Sequence, residues 1–528
     1  MGCTKIKKIL IAHRSEIALR IHKTAHALGI KTVAIYGPED SHLSYVHHAD
    51  EAYPLSLAGA QGYLNQGEII TIACSAKVDA IHPGYGFLSE NALFAQKVLD
   101  AGLIWIGPAP QVIALMGDKT QARLLMQKIG IPIVSGHYVN THEPDALLTA
   151  YTKASEIGYP ILLKDPLGGG GKGMRKVSTA DEFEKNWETV KREAQKLTGS
   201  SILLIEKYLE NTRHIEIQIA GDKETVIHLY ERECSLQRRH QKIIEEAPCL
   251  FVSKQTLEKM YTVACTIGKT VGYTNIGTVE FLVTSDEQFY FLEMNTRLQV
   301  EHAVTELTLG IDLVALQLSL AEDNQLPYQQ SDLVRRGHAL ECRINAEDPS
   351  KNFLPSGGLI HHLVLPEGPF LRHDHDLHQG MGVGSYFDPL LSKVITFGEN
   401  RELAINYMRE ALQSFTLTGL ATNLSFLIAI LDSHNFTTGT LSTQILGNHD
   451  YLSELLDAMS PKKNNQDDLS DQEIAAIFAM LASTINNQKE SRLNQELSSQ
   501  KSPSQELPST ANTQNWRTWK NQAKNQTW

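Results

Sequence analysis

The hydrophobic pattern at the start of the chain alternates between short apolar runs and one amphipathic segment. "KKILIAH" and "KTVAIYG" read as buried strands, and "SEIALRIHKTAHALGI" between them repeats its apolar residues at the helical period. A strand, a helix and a strand in this order predict a doubly wound parallel sheet. A further apolar run, "VDAIHPG", ends in a glycine-rich turn, and ligands collect at such strand ends. We place this first domain at residues 1–117.

The middle of the chain has a pattern of paired strands. "YPILLKDP" and "MRKV" flank a glycine-rich loop, and "RHIEIQIAGD" and "VIHLYERECS" alternate like antiparallel strands. A helix is predicted over about 255–270, and the strands "GTVEFLV" and "QFYFLEMN" after it are expected to form a hairpin. We place this domain at 118–335, with a mobile lid at about 135–207, and a third domain of short strands and helices at 336–447.

The remaining residues, 448–528, form a polar tail. Its last part is rich in Asn, Gln and Ser and has few aliphatic residues, which is typical of disorder. A short helix is predicted over about 470–484, where Ser470 and Glu473 would form a capping box.

Composition narrows the class of protein. Hydrophobic residues make up 42% and charged residues 20% of the chain, as in globular proteins, and the net charge of -12 argues against nucleic-acid binding. No apolar run approaches the roughly 20 residues that span a bilayer, so we expect no membrane association. The six cysteines are scattered without a CxxC pair, which favours a reducing compartment and predicts a cytoplasmic protein.

A row of polar residues follows the last apolar strand of the second domain. Glu280 lies inside "GTVEFLV" and would face Glu293 across the predicted hairpin, and buried carboxylates need a partner or a metal. With Asn295 they predict a hard-cation site of the kind that holds Mg²⁺ against nucleotide phosphates. If the segment stays extended, Arg297 on the same face offers donors to a small planar oxyanion such as bicarbonate or a carboxylate, and Glu301 could act as a general base.

Glycines and lysines predict a site for phosphates. In "GGGGKG" (Gly168–Gly173) the backbone can approach anionic oxygens closely, although the Walker A pattern fails because Met174 stands where Ser or Thr is required. Lys164, on the strand before the glycines, needs an anionic partner if it is buried, and Lys119 in "MGDK" is a second candidate.

Long motifs along the chain point to one family. They are "HPGYGFLSEN", "LMGDK", "GGGGKGM", "EKYLENTRHIEIQI", "ERECSLQRRHQKIIEEAP", "EMNTRLQVEH", "ECRINAEDP", "FLPSGG" and "YFDPLLSKVI". From about Lys5 to Leu446 the chain resembles the biotin carboxylase component of the biotin-dependent carboxylases. The resemblance implies α/β and α+β structure, with an ATP-grasp fold preceded by a doubly wound parallel-sheet domain and followed by a small biotin carboxylase C-terminal domain.

The resemblance also implies the roles of individual residues. Glu280, Glu293 and Asn295 would bind Mg²⁺ or Mn²⁺, and Arg343 would stabilise the biotin enolate. The residues implied for bicarbonate, with Glu301 as the base, are Lys242, Arg297, Gln299, Val300 and Glu301. The residues implied for ATP are Lys119, Lys164, Gly168, Gly169, Gly170, Gly171, Gly173, Met174, Glu206, Lys207, Leu209, His214, Gln237, His240 and Leu282.

The implied reaction is the ATP-dependent carboxylation of biotin by bicarbonate through carboxyphosphate. This is the first half-reaction of acyl-CoA carboxylases (acetyl-, propionyl- or methylcrotonyl-CoA), which belong to fatty acid metabolism, or of pyruvate carboxylase. The chain resembles acyl-CoA carboxylase α-subunits but has no Met-Lys-Met biotinylation motif and no carboxyltransferase domain. We therefore expect a separate biotin carboxyl carrier protein, a carboxyltransferase subunit and, as in the family, a homodimer.

Two other functions stay open at this point. One is a different ATP-grasp ligase, and the other is a non-catalytic regulatory copy. The second gains weight from departures from the family pattern: His13 and Ser15 replace Asn and Gly, Asp165-Pro166-Leu167 replaces small residues after Lys164, and Ala303 replaces Pro. Asp165 beside a phosphate-binding lysine is expected to weaken ATP binding.

Overall fold

The N-terminal sheet is built from strands that alternate with helices. The computed structural model describes residues 5–166, 173–323 and 325–459. The first segment, residues 5–117, contains β1 (Lys8–Ile11), α1 (Ser15–Ala27), β2 (Lys31–Tyr36), α2 (Ser44–His48), β3 (Glu51–Pro54), α3 (Ala60–Tyr63), α4 (Gln66–Ser75), β4 (Ala80–His82), α5 (Ala92–Asp100), β5 (Ile104–Trp105) and α6 (Pro110–Gly117).

The strand order of this sheet is β3-β2-β1-β4-β5, and every pair is parallel. The winding direction reverses between β1 and β4, so their carboxyl ends flank a crevice of the kind that binds ligands. The predicted doubly wound sheet is confirmed.

Ser15 begins α1 with a backbone φ of +56°, in the left-handed region that favours glycine. We expect Ser15→Gly to stabilise the fold by about 1 kcal/mol, because it removes the contact between Cβ and the backbone that this φ imposes. Thermal unfolding would measure the gain. Ser15→Ala keeps the Cβ and should give no gain, so equal stabilisation by both variants would contradict the explanation.

The second segment, residues 118–335, begins with a small sheet that has its own core. The elements are α7 (Lys119–Lys128), β6 (Gly136–Asn140), α8 (Ala146–Ile157), β7 (Ile161–Lys164), β8 (Met174–Val177), α9 (Phe183–Leu197) and β9 (Ile202–Lys207). The order is β6-β9-β7-β8, and Phe183 and Trp187 of α9 pack against it. This sheet coincides with the predicted lid, whose mobility stays a prediction. The loop between β7 and β8 carries Gly168 to Gly171, which lie outside the described residues.

The larger sheet has eight strands and joins the second and third segments. The second segment supplies β10 (Arg213–Gly221), β11 (Val226–Arg238), β12 (Gln241–Ala247), α10 (Lys254–Val271), β13 (Asn275–Val283), β14 (Phe289–Asn295), α11 (His302–Leu309) and α12 (Leu313–Asp323). The strand order is β14-β13-β10-β11-β12, followed by three strands of the third segment. The predicted hairpin and helix are confirmed. The antiparallel strands predicted from "RHIEIQIAGD" and "VIHLYERECS" are confirmed as β10 and β11, and β10 is buried on both faces.

The third segment, residues 336–459, extends this sheet and adds helices that pack against it. Its elements are β15 (His338–Asn345), β16 (Glu347–Asp348), β17 (Leu354–Pro355), β18 (Gly358–Leu359), β19 (His362–Val364), β20 (Leu371–His375), β21 (Gly382–Val383), β22 (Leu390–Gly398), α13 (Arg401–Ser414), β23 (Thr416–Thr418), α14 (Leu424–Asp432), α15 (His434–Thr437) and α16 (His449–Ala458). Strands β15, β22 and β20 complete the eight-stranded sheet, so the sheet runs across the predicted boundary at 335. The domain boundaries stay predictions.

The rest of the tail, including the helix predicted at about 470–484, lies outside the described residues. Among the described residues, no single helix has the length and apolar character to cross a membrane. Helices α11 and α12 meet that test only as a pair, and they meet at an angle of 90°. Both carry many buried residues, as core helices do.

Candidate active site

The hairpin of β13 and β14 places the predicted metal ligands together. Glu280 and Glu293 are direct partners in its antiparallel register, so their side chains lie on the same face of the sheet. Strand β14 ends at Asn295. The expectation of one extended row is therefore wrong beyond this residue: Arg297 lies in an irregular turn, and Glu301 is the residue that precedes α11.

Lys242 contacts three carboxylates at the centre of the site. Its Nζ donates to Glu280 Oε1 at 2.8 Å, to Glu301 Oε1 at 2.7 Å and to Glu216. Glu216 of β10 is itself fully buried and accepts from Arg232. Burial alone would lower the pKa of the Lys242 ammonium, but the three carboxylates outweigh it and the pKa is raised well above its usual value. The site therefore holds a permanent cation.

Glu301 lies between two cations. Lys242 contacts one carboxylate oxygen, and Arg343 NH2 donates to the other at 2.9 Å. Arg343 is held in turn by Glu245, which accepts from its Nε at 2.6 Å. Burial alone would raise the pKa of Glu301, yet Lys242, Arg343 and Arg232 hold it well below its usual value. Glu301 is consequently an ionised, fully buried carboxylate.

Arg297 presents a guanidinium beside this acid. Its NH1 donates to Gln299 Oε1 at 2.9 Å, its NH2 to Asn295 Oδ1 at 3.0 Å, and its Nε to Glu90 Oε2 at 2.9 Å. Glu90 belongs to the turn that follows β4, so the N-terminal domain helps to orient this side chain. A fixed planar fork of donors suits a small oxyanion.

The oxygen-rich corner of the site fits a hard divalent cation. Glu280 Oε1 accepts from Asn295 Nδ2 at 2.8 Å, and Glu293 Oε2 lies 3.3 Å from the ammonium of Lys119. Carboxylate and amide oxygens are the donors that Mg²⁺ prefers. Lys242 and Lys119 lie against these carboxylates, which shows that negative charge at this corner attracts cations.

The predicted nucleotide residues lie around the same groups. Lys164 finds the anionic partner that its position requires, because its Nζ donates to Glu206 Oε2 at 2.6 Å, and Arg123 binds the other oxygen. Gln237 Nε2 lies 2.9 Å from His214 Nδ1, and His214 Nε2 lies 3.0 Å from Glu280 Oε2. The ammonium of Lys207 points away to the carbonyls of residues 158 and 159.

One cavity of about 780 Å³ brings these groups together. Gly173 is described, with φ at +72°, but is not among the lining residues. The predicted residues that line the cavity are Lys119, Lys164, Met174, Glu206, Lys207, Leu209, His214, Gln237, His240, Lys242, Glu280, Leu282, Glu293, Asn295, Arg297, Gln299, Val300, Glu301 and Arg343.

Two departures from the family pattern have a structural explanation. Asp165 is buried and its Oδ2 accepts a hydrogen bond from Thr198, so its carboxylate is held within the small sheet. His13 is buried too, its Nδ1 accepts from the Arg14 amide, and its Nε2 lies 2.7 Å from the Tyr85 carbonyl. Burial lowers the pKa of His13 to about 3, so the neutral ring ties the end of β1 to the turn after β4.

Sequence reasoning missed two acids that shape the site. Glu216 contacts Lys242, and Glu245 contacts Arg343. A signal was present for Glu216, because it interrupts the apolar run "HIEIQIA" just as Glu280 interrupts "GTVEFLV". A carboxylate inside an apolar strand is therefore a signal for a partner elsewhere in the fold.

Comparison with known families covers most of the chain. Residues 5–113 match the family "Biotin carboxylase, N-terminal domain", residues 118–329 the "Carbamoyl-phosphate synthase L chain, ATP binding domain", and residues 341–448 the "Biotin carboxylase C-terminal domain". The chain is 44% identical over 445 residues to biotin carboxylase of Halalkalibacterium halodurans, covering 84% of this chain and 98% of that protein. It is also 44% identical over 447 residues to the mitochondrial methylcrotonoyl-CoA carboxylase subunit alpha of Dictyostelium discoideum, covering 84% of this chain and 64% of that one.

Solved structures agree with this assignment. The biotin carboxylase domain dimer of Hydrogenobacter thermophilus 2-oxoglutarate carboxylase, in complex with MgADP, ADP and bicarbonate, superposes with a TM-score of 0.81 at 41% identity, covering 85% of this chain and 99% of that one. Biotin carboxylase of Campylobacter jejuni in a β-γ-ATP complex gives a TM-score of 0.81 at 39% identity, covering 84% of this chain and 99% of that one. The three domains, the arrangement of acids and cations around one cavity, and these similarities together place the chain in the biotin carboxylase family.

Proposed function

We propose that this chain carboxylates biotin with bicarbonate and ATP. The observation that carries the proposal is the environment of Glu301, an ionised acid at the wall of the cavity, with Lys242 on one oxygen and Arg343 on the other. The guanidinium of Arg297 completes a cationic enclosure that would bind a small anion next to a base. Bicarbonate has the size, charge and acidic proton that this enclosure requires.

In the proposed first step, Glu301 takes the proton of bicarbonate. The freed oxygen then attacks the γ-phosphoryl group of ATP, a phosphorus–oxygen bond forms, and ADP leaves with the bonding electrons, which gives carboxyphosphate. Lys242, Arg297, Gln299 and Val300 would hold bicarbonate in line with the phosphoryl group, so that positioning and charge stabilisation supply most of the rate.

Lys164 and Lys119 would neutralise charge on the phosphates. Glu206 orients Lys164 through the 2.6 Å contact. The residues that would hold Mg²⁺ are Glu280, Glu293 and Asn295, and the bound ion would neutralise phosphate charge. The remaining ATP contacts predicted from the sequence belong to this proposal.

In the second step, carboxyphosphate breaks into CO₂ and phosphate, and phosphate takes the N1′ proton of biotin. Arg343 would stabilise the resulting enolate, whose nitrogen attacks CO₂ to form carboxybiotin. The 2.6 Å contact to Glu245 fixes the Arg343 guanidinium, so its donors are oriented before biotin arrives.

Biotin would be supplied by a separate carrier protein, and a carboxyltransferase subunit would use the product. We propose a homodimer, as in the Hydrogenobacter thermophilus domain dimer. The relatives act in methylcrotonoyl-CoA, 2-oxoglutarate and pyruvate carboxylases, which makes an acyl-CoA or a 2-oxo acid the proposed final acceptor. A cytoplasmic location stays a prediction.

ATP hydrolysis by the purified chain tests the function. We expect phosphate release that requires bicarbonate and Mg²⁺ and increases several-fold with free biotin, because biotin consumes the carboxyl group. Hydrolysis that needs an amine or another carboxylate as acceptor would support a different ATP-grasp ligase. No hydrolysis under any of these conditions would support a non-catalytic copy.

A further inference from the structure

Lys393 is a buried cation that the proposed mechanism does not use. It lies in β22, its side chain is fully buried, and its Nζ donates to the carbonyl oxygen of Val300 at 2.8 Å. Val300 is the residue directly before Glu301. A lysine so deep in the fold is costly unless its ammonium is paired, so the position of this side chain needs a reason.

Lys393 stands beside Arg343 in the eight-stranded sheet. The two residues are direct partners in the antiparallel register of β15 and β22, so their side chains project from the same face. Arg343 binds the carboxylate of Glu301, and Lys393 binds the carbonyl of the preceding residue. Two neighbouring cations therefore hold two consecutive residues at the wall of the cavity.

Acidic residues near Lys393 keep its ammonium charged, but its hydrogen bond goes to the Val300 carbonyl. Glu16 Oε2 lies 3.9 Å and Asp374 Oδ2 3.7 Å from its Nζ, both farther than the Val300 oxygen. Neither oxygen of Glu16 has a hydrogen-bond partner among the described groups. Burial alone would lower the pKa of Lys393, but Glu16, Glu341 and Asp374 raise it. These acids therefore keep the Lys393 ammonium charged, and its short contact is made to the backbone carbonyl of Val300.

We infer that Lys393 is a positioning residue for the bicarbonate site, which it serves by fixing the peptide group between Val300 and Glu301. The Val300 carbonyl and the Glu301 amide share one planar peptide unit, so a bond to the oxygen fixes where the Glu301 side chain starts. Since α11 begins at the next residue, this bond also sets the entry into the helix. The expected change in kinetics rests on the proposed function, whereas the expected change in the backbone does not.

The kinetic test compares Lys393→Met with Ser392→Ala. Methionine keeps the length of the side chain and removes the ammonium, whereas Ser392 is a buried neighbour whose hydroxyl has no partner among the described groups. We expect Lys393→Met to raise KM for bicarbonate about tenfold and to lower kcat, with KM for ATP unchanged, because a hydrogen bond from a charged group is lost. Ser392→Ala should leave all three constants unchanged. Equal changes in the KM values for both substrates would overturn the inference.

Two further measurements keep the test decisive. If Lys393→Met does not fold, the double variant Lys393→Met with Glu16→Gln is measured instead. The second substitution neutralises one of the carboxylates that the loss of the ammonium leaves unpaired. Amide hydrogen exchange without substrates then reads the backbone directly. We expect faster exchange confined to about residues 299–305, whether or not the wild-type chain hydrolyses ATP. Unchanged exchange there would overturn the positioning role, whereas an inactive wild type with the expected exchange would overturn only the proposed function.

Discussion

Glu301→Gln is expected to lower kcat for bicarbonate-dependent ATP hydrolysis by about 10³-fold, within the range that a general base contributes. The substitution keeps the shape of the side chain but removes its ability to take a proton. Among the described residues, the hydrogen-bond partners of the Glu301 carboxylate are Lys242 and Arg343, and neither is a predicted ATP residue, so ATP affinity should stay within about twofold. Steady-state phosphate release and calorimetric titration with ATP would measure the two quantities.

A matched control is Glu231→Gln. Glu231 is also a fully buried glutamate, but it lies outside the cavity, where it accepts from the Cys249 amide and from Tyr261. This variant makes the same chemical change in a similar environment and should retain turnover. Loss of ATP binding in Glu301→Gln, or turnover close to that of the control, would contradict the role of Glu301 as the base.

Much of the site could be predicted because local sequence rules apply to it. Glu280 interrupts an apolar strand, and the next strand follows after a short turn, so a hairpin that pairs Glu280 with Glu293 needs only neighbouring residues. The parallel N-terminal sheet follows in the same way from alternating strands and helices. The family motifs then indicated Lys242 and Arg343, which the residue pattern alone did not distinguish from surface charges.

The remaining contacts depend on long-range strand order, which the pattern does not encode. The sheet order β13-β10-β11-β12 brings together residues that are far apart in the sequence. These residues are Glu216, Lys242, Glu280 and, at the start of α11, Glu301. The end of β14 at Asn295 was missed because alternating polar residues fit both a strand and a turn that leads into a helix. Lys393 was missed because its partner is a backbone carbonyl, which leaves no trace in side-chain composition.

Lys242→Met is expected to abolish bicarbonate-dependent turnover and to destabilise the fold by about 3–5 kcal/mol, the cost of removing one partner from a buried ionic cluster. Lys242 is the cation that contacts Glu216, Glu280 and Glu301 together, and without it these buried carboxylates repel one another. Thermal or denaturant unfolding would measure the loss of stability, and phosphate release the loss of activity.

The double variant Lys242→Met with Glu216→Gln separates the two effects. Glu216 is the most deeply buried of the three acids that Lys242 contacts, and burial already raises its pKa, so neutralising it should restore part of the lost stability. Turnover should not return, because the cation that would bind bicarbonate beside Glu301 is still missing. If the double variant instead recovered activity along with stability, Lys242 would serve only to balance the buried acids, and the anion site would have to be built from Arg297 and Arg343 alone.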